Sequence, residues 1–236
     1  MKIKIELSQN FSPKIRLKNS IKFVIIHYTG MQSEIESINR LKDTKSKVSC
    51  HYLINRKGSI TQMVRDNQVA WHAGKSKWKN FKNLNENSIG IELVNKGHKF
   101  GYQNFSNIQI SSLINLCKIL KKKYRINKKN FLGHSDIAPL RKLDPGEKFP
   151  WKRLSKHNLG CWYKSNNKKS KLISYKRIDN SFFKNLFKIG YRYFRVSKRD
   201  KNNKFIIKSF QQHYLPQKVS GKIDQKTLNI SDFLAN

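Results

Sequence analysis

The chain has 236 residues, 37% of them hydrophobic and 11% aromatic, and its 50 Lys and Arg against 14 Asp and Glu give a formal charge of +36. That length and apolar content suit one mid-sized domain with a small companion and exclude wholesale disorder, and with no apolar run near the roughly 18 residues of a membrane span, no transmembrane segment is expected. Three widely separated cysteines, Cys50, Cys117 and Cys161, support neither a disulfide framework nor a cysteine zinc cluster.

The first residues, Met1 to Leu7, alternate charged and apolar side chains, whereas a secretory signal needs an unbroken apolar stretch of roughly 7–15 residues. The expectation is a cytoplasmic protein, with the cell envelope as the alternative. A short apolar, β-branched run over 21–28 predicts a buried strand with His27 at its C-terminal end. A helix follows, N-capped by Ser33 and carrying Ile35, Ile38 and Leu41 at helical spacing. Segments 48–55 and 60–64 predict two strands joined as a hairpin by the turn-like Arg56-Lys57-Gly58-Ser59. Over 88–94 the alternation sets Ile89, Ile91 and Leu93 on one face and Gly90, Glu92 and Val94 on the other.

The longest helix is expected over 107–124, where Ser106 and Gln109 have capping-box spacing and Ile110, Leu113, Ile114, Cys117 and Leu120 form an apolar stripe. A short strand over 130–133 leads to the segment 134–146, whose prolines and terminal glycine predict a loop without regular structure. The polar stretch 164–171 reads as a linker. Beyond it, helical patterns stand near 182–189, 204–213 and 224–228. Residues 164–236 hold 18 basic and 4 acidic residues, so both parts of the chain are basic. Such a field attracts polyanions, but abundant Lys, Asn and Ile are equally the mark of AT-rich coding, with most lysines on solvated faces.

His27 and His134 each stand where a strand should end, the place where ligands gather on open α/β sheets. Asp144, ten positions after His134, can return to the same pocket. Two imidazoles and a carboxylate leave the fourth position of a tetrahedral metal open, as in catalytic sites. Glu92 on an otherwise apolar strand is awkward as a structural residue, because an unpaired carboxylate near a core is unfavourable. Lys142 alone would read as solvated decoration.

Five blocks carry a resemblance: Val24-Ile-Ile-His-Tyr-Thr-Gly30, Ser49-Cys-His-Tyr-Leu-Ile54, Ala70-Trp-His-Ala-Gly74, Asn87-Ser-Ile-Gly-Ile-Glu-Leu93, and Gly133-His-Ser-Asp-Ile-Ala-Pro139 with Arg141-Lys-Leu-Asp-Pro-Gly146. In this order, over residues 21–163, the chain resembles the zinc-dependent N-acetylmuramoyl-L-alanine amidases of the type 2 family. Its tail is similar to the C-terminal peptidoglycan-binding domain of the AmiD-like branch.

The resemblance implies an α/β fold with a central mixed β-sheet flanked by helices (1–163), a linker (164–178) and a small all-α three-helix domain (179–236). It implies one Zn2+ per chain held by His27, His134 and Asp144, with Glu92 and Lys142 as the catalytic pair. Trp71, His72, Ala73 and Gly74 would bind substrate, a peptidoglycan strand or muropeptide cut between N-acetylmuramic acid and L-alanine. The tail, tethered by the linker, would raise local concentration at the polymer without touching the chemistry.

Elsewhere, His51 reads as a hydrogen-bonded core or supporting residue, and His98, His157 and His213 as structural or surface residues. Tyr28 and Trp78 could reach the groove, Trp78 equally well the core, and Asp136 and Arg141 could pair or face water. Two other readings remain: a peptidoglycan-recognition protein without turnover, and a basic nucleic-acid-binding protein. The second rests on charge alone and lacks a motif, so no nucleic-acid partner is expected; the oligomeric state stays open.

Overall fold

A computed structural model describes residues 2–164 and 175–236. Among the described residues ten strands are formed: β1 (Ile3–Ile5), β2 (Phe11–Ser12), β3 (Phe23–Tyr28), β4 (Tyr52–Ile54), β5 (Ile60–Gln62), β6 (Val69–Ala70), β7 (Lys77–Trp78), β8 (Phe81–Lys82), β9 (Ser88–Leu93) and β10 (Phe131–Gly133). Seven α-helices accompany them: α1 (Glu34–Lys42), α2 (Asn107–Tyr124), α3 (His134–Ile137), α4 (Trp151–Ser155), α5 (Tyr175–Ile189), α6 (Asn203–Tyr214) and α7 (Gln225–Ala235). Six strands make one mixed sheet in the order β1-β5-β4-β9-β3-β10. Only the β4–β5 hairpin is antiparallel in it; the other neighbours are parallel.

The sheet is built around β3, whose Phe23 to His27 are all buried because neighbours cover both faces, as parallel strands require. Val24 and Ile26 point to one face with Ile89, Ile91, Leu93 and Ile54, and there the stripe of α2 packs on them through Ile110, Leu113, Ile114, Cys117 and Leu120. Ser106 caps α2 by accepting from Gln109 N–H at 3.2 Å. The Gln109 side chain does not complete a capping box; its amide donates to the carbonyls of Ile54 and Val94, tying the helix start to the ends of β4 and β9.

The opposite face carries Phe23, Ile25 and Leu132, and these share one core with Phe182, Phe183, Leu186, Ile206, Phe210 and Tyr214 of α5 and α6. The expectation of a tail merely tethered to the enzyme therefore needs correcting: its helices are a layer on the sheet. Of the expected linker, 165–174 lies outside the described residues, and Tyr175 already belongs to α5. Both α5 and α7 are longer than their apolar patterns suggested. Among the described residues no helix is long and apolar enough to cross a membrane.

Segment 134–146 departs from its expected lack of structure, because α3 forms at its start. The Asp136 carboxylate reaches back to accept Gly133 N–H at 2.7 Å, satisfying a donor at the helix N-terminus that would otherwise stay orphaned. Ser135 N–H donates to the Asp144 carbonyl at 2.8 Å, which folds the loop back on itself.

Candidate active site

Parallel pairing of β3 with β9 places His27 directly beside Glu92. Neighbouring paired residues project to the same side of a sheet, so both point to the face away from α2. β10 runs beside β3 with Gly133 next to Ile26, which brings His134 to the same end. The loop after α3 returns Asp144 to them.

His27 Nδ1, His134 Nδ1 and Asp144 Oδ2 converge at 3.0, 2.9 and 3.1 Å from one another, all three side chains being buried. Hydrogen bonds behind the two rings assign their protons. The Leu84 carbonyl can only accept, so the Ser88 hydroxyl donates to it (2.5 Å) and accepts from His72 Nε2–H (3.2 Å). That leaves His72 Nδ1 a lone pair, which accepts from His27 Nε2–H at 3.0 Å. His134 Nε2 lies 3.1 Å from the Ala73 carbonyl, which can only accept, and 3.2 Å from Arg141 Nη2, which can only donate; in the tautomer that donates to the carbonyl, His134 Nδ1 carries the lone pair. With that His134 tautomer, both Nδ1 atoms face Asp144 as lone pairs.

Three acceptors in mutual contact repel unless they share a cation. Ligands about 2.0–2.1 Å from a tetrahedral ion lie about 3.3 Å apart, close to the spacing found. Burial, with His134 as its neighbour, lowers His27 to about 4. Burial alone would raise Asp144, but in the metal-free protein an adjacent imidazole that carries a proton toward it, His134 first, holds it well below the usual carboxylate range. The residues fit a metal ion.

Glu92 lies within the same open cleft of about 340 Å³, with Lys142, Tyr28, Trp71 and Arg141. Its Oε2 is shielded from solvent and has no hydrogen-bond partner among the described residues. Burial, and secondarily the charge of Asp144, pushes its carboxyl up to about 8, with Lys142 opposing. A perturbed carboxyl with a free oxygen in a cleft is equipped to move protons near neutral pH.

Residues 17–147 match the N-acetylmuramoyl-L-alanine amidase family. Over 230 residues the chain is 34% identical to the N-acetylmuramoyl-L-alanine amidase AmiD of Escherichia coli, covering 91% of this chain and 82% of that protein. The chain belongs to the N-acetylmuramoyl-L-alanine amidase family. A 1,6-anhydro-N-acetylmuramyl-L-alanine amidase, AmpD of Haemophilus influenzae, is 44% identical over 108 residues, 45% of this chain and 56% of that one. The solved E. coli AmiD, in complex with anhydro-N-acetylmuramic acid-L-Ala-D-γ-Glu-L-Lys, superposes with a TM-score of 0.80 at 31% identity, over 94% of this chain and 91% of that one. AmpDh3 of Pseudomonas aeruginosa, in complex with anhydromuramic pentapeptide, gives 0.80 at 29% identity, over 94% and 92%.

In this amidase the four residues expected to bind substrate separate. Trp71 and His72 line the cleft, but the His72 ring is spoken for, held between His27 and Ser88. Ala73 is fully buried and contributes its carbonyl to His134. Gly74 is not among the cleft-lining residues; its φ of +54° carries the chain past the Arg141 guanidinium.

Asp136 and Arg141 do not pair: Asp136 is buried and bonded to Gly133, Tyr191 and His213, while Arg141 donates to the carbonyls of Lys75 and Ala73. Trp78 is in the core against Tyr191. His51 accepts from Gly90 N–H at 3.0 Å and supports β9. His98 bridges Tyr28 Oη (2.9 Å) and Glu147 (3.1 Å), so it has partners that the sequence did not reveal.

Ser88 and Gly90 were missed as functional positions. Their signal lay in the alternation of β9, which sets both on the Glu92 face. A Cβ on Gly90 would lie 2.3 Å from His72 Cγ, so that ring can cross the strand only over glycine.

Proposed function

We propose that the protein hydrolyses the amide between the lactyl group of N-acetylmuramic acid and L-alanine, using one Zn2+ per chain held by His27, His134 and Asp144. The observation that carries this reading is three mutually facing acceptor atoms sharing a cleft with an unpartnered Glu92 oxygen. Two neutral imidazoles and one carboxylate suit zinc better than magnesium or calcium, which prefer all-oxygen surroundings. Zinc bound there supplies Lewis acidity, polarising the scissile carbonyl and making water a nucleophile near neutral pH.

Glu92 takes a proton from the attacking water and delivers it to the leaving amine, a task suited to a carboxyl raised toward neutrality. Lys142 places its ammonium near the carbonyl oxygen and stabilises the negative charge that develops there. Arg40, Arg141 and Lys142 share the cleft with Met31, Leu41, Trp71 and Leu143, a mixture suited to the carboxylates and apolar parts of a short acidic peptide. The anhydromuramoyl peptides bound to the E. coli and P. aeruginosa relatives support a muropeptide of that class as substrate.

The test is mass spectrometry of products from a defined anhydro-muropeptide. Zinc-loaded protein should release a peptide with a free L-alanine amine and leave the sugar lactyl carboxylate; a chelator should stop this and added Zn2+ restore it. Binding without any product would favour the recognition-protein reading and overturn the enzymatic one.

A further inference from the structure

The C-terminal helices reach the proposed metal site through one buried carboxylate. Asp136, 1% exposed, lies two residues after His134 in α3. Its Oδ2 accepts Gly133 N–H at 2.7 Å and His213 Nδ1–H from α6, also at 2.7 Å, and its Oδ1 accepts the Tyr191 hydroxyl at 2.5 Å. The next turn of α6 adds a second fastening, with the Ser209 hydroxyl donating to the Ser135 carbonyl at 2.8 Å. The His213 ring is itself immobilised in a stack between Trp151 (3.9 Å, 13° between planes) and Tyr214 (4.0 Å, 15°). Ile137 and Ala138 are embedded with Phe182, Phe210 and Tyr214 in the same apolar core.

A four-residue helix has too few internal hydrogen bonds to hold its own geometry. The orientation of α3, and with it the direction in which His134 presents Nδ1, depends on what grips it from outside. On one side that is the Asp144 carbonyl; on the other it is the tail.

We propose that His213 and Tyr191 are positioning residues for the metal centre: by clamping Asp136 they fix α3 and thereby His134, so the C-terminal unit is a structural part of the active site rather than a tethered accessory. This rests on His134 being a metal ligand, as read above. Outer partners of metal ligands typically change affinity 10–100-fold when removed. Acting through the backbone of α3, this clamp belongs at the lower end, about 10-fold.

The test uses the full chain and Co2+ and Zn2+ alone as probes. Affinity is measured by competition with a chromophoric chelator, and the geometry of the Co2+ form by its visible absorption, for wild type, Tyr191→Phe, His213→Leu, His213→Asn and His134→Ala. Tyr191→Phe and His213→Leu should bind each metal about 10-fold more weakly and shift the Co2+ bands. His213→Asn, which keeps an N–H donor toward Asp136, should recover much of the loss. Wild-type affinity and bands in both Tyr191→Phe and His213→Leu, with metal lost in His134→Ala, would overturn the clamp and leave the metal reading standing. Undiminished binding by His134→Ala would overturn the metal reading itself. Lower thermal stability of the metal-free variants with unchanged metal affinity would mark a purely structural contact and would also overturn the proposal.

Discussion

Replacing Gly90 with alanine tests the hydrogen-bond relay behind His27. The φ of Gly90 is not in the positive region, so the backbone accepts a Cβ; the obstacle is the His72 ring, with Cγ at 2.3 Å and Cδ2 and Nδ1 at 2.6 Å from the added atom. Ordinary van der Waals contact needs the ring to retreat by about 1 Å. That carries the His27–His72 and His72–Ser88 hydrogen bonds, now 3.0 and 3.2 Å, beyond useful length.

Losing two bonds worth about 1 kcal/mol each, with a buried His27 N–H left unpaired, should destabilise the metal-free protein by about 2–4 kcal/mol. Releasing the tautomer of His27 should also weaken Zn2+ binding by about 10–100-fold. Urea denaturation and chelator competition measure the two effects. The decisive arm is the same substitution in a His72→Ala background, where no ring opposes the Cβ and alanine in a strand should be neutral or slightly stabilising. If Gly90→Ala were equally damaging with and without the His72 ring, the relay would not be the reason for glycine there.

Glu92→Gln should retain zinc while kcat falls by about 10²-fold or more, since the amide cannot carry the proton. Because burial raises Glu92 to about 8 in the metal-free protein, its ionisation opposes folding increasingly as pH rises from about 4.5 to 8, and the same variant should be more stable than wild type by on the order of 1–3 kcal/mol at pH 7 in urea denaturation. Burial, aided by Arg16, depresses His51 to about 3, so the unfolded chain binds the extra proton between about pH 6.5 and 3. Stability is therefore full above 6.5 and falls below it, by about 2 kcal/mol at pH 5 from this group; His51→Asn should show a correspondingly smaller difference between pH 7 and pH 5.

Local patterns made much of the sheet legible. The alternation of β9 told apart the α2 face and the Glu92 face because a period of two has only two outcomes, and the Arg56 to Ser59 turn announced the antiparallel pair of the six-stranded sheet. The convergence of His27, His134 and Asp144 was readable because each ends a strand or stands in a distinctive loop. What escaped depends on contacts between distant segments. His72 does line the cleft, but its bond to His27, 45 positions away, and its passage over the missing Cβ of Gly90 could not be read locally. Asp136 looked free to pair with Arg141 because its partners, Tyr191 and His213, lie 55 and 77 positions on. α3 was hidden by the prolines after it, although Asp136 supplies its cap. The tail read as separate because amphipathic helices state that they have an apolar face, not which surface covers it.

The parallel register of β3 and β9 has a bearing on how such a chain can diversify. The separation between His27 and Glu92 is a property of the backbone ladder, fixed by six paired residues on each strand. The long crossover between these strands holds Met31, Arg40, Leu41, Val48, Ser49 and Trp71, which wall the cleft. Insertions, deletions and substitutions can accumulate along that crossover and reshape what the cleft admits while the reacting groups keep their distance. The cleft walls on the crossover can therefore vary at positions other than His72, whose ring bonds His27, while the ladder keeps His27 and Glu92 at their distance.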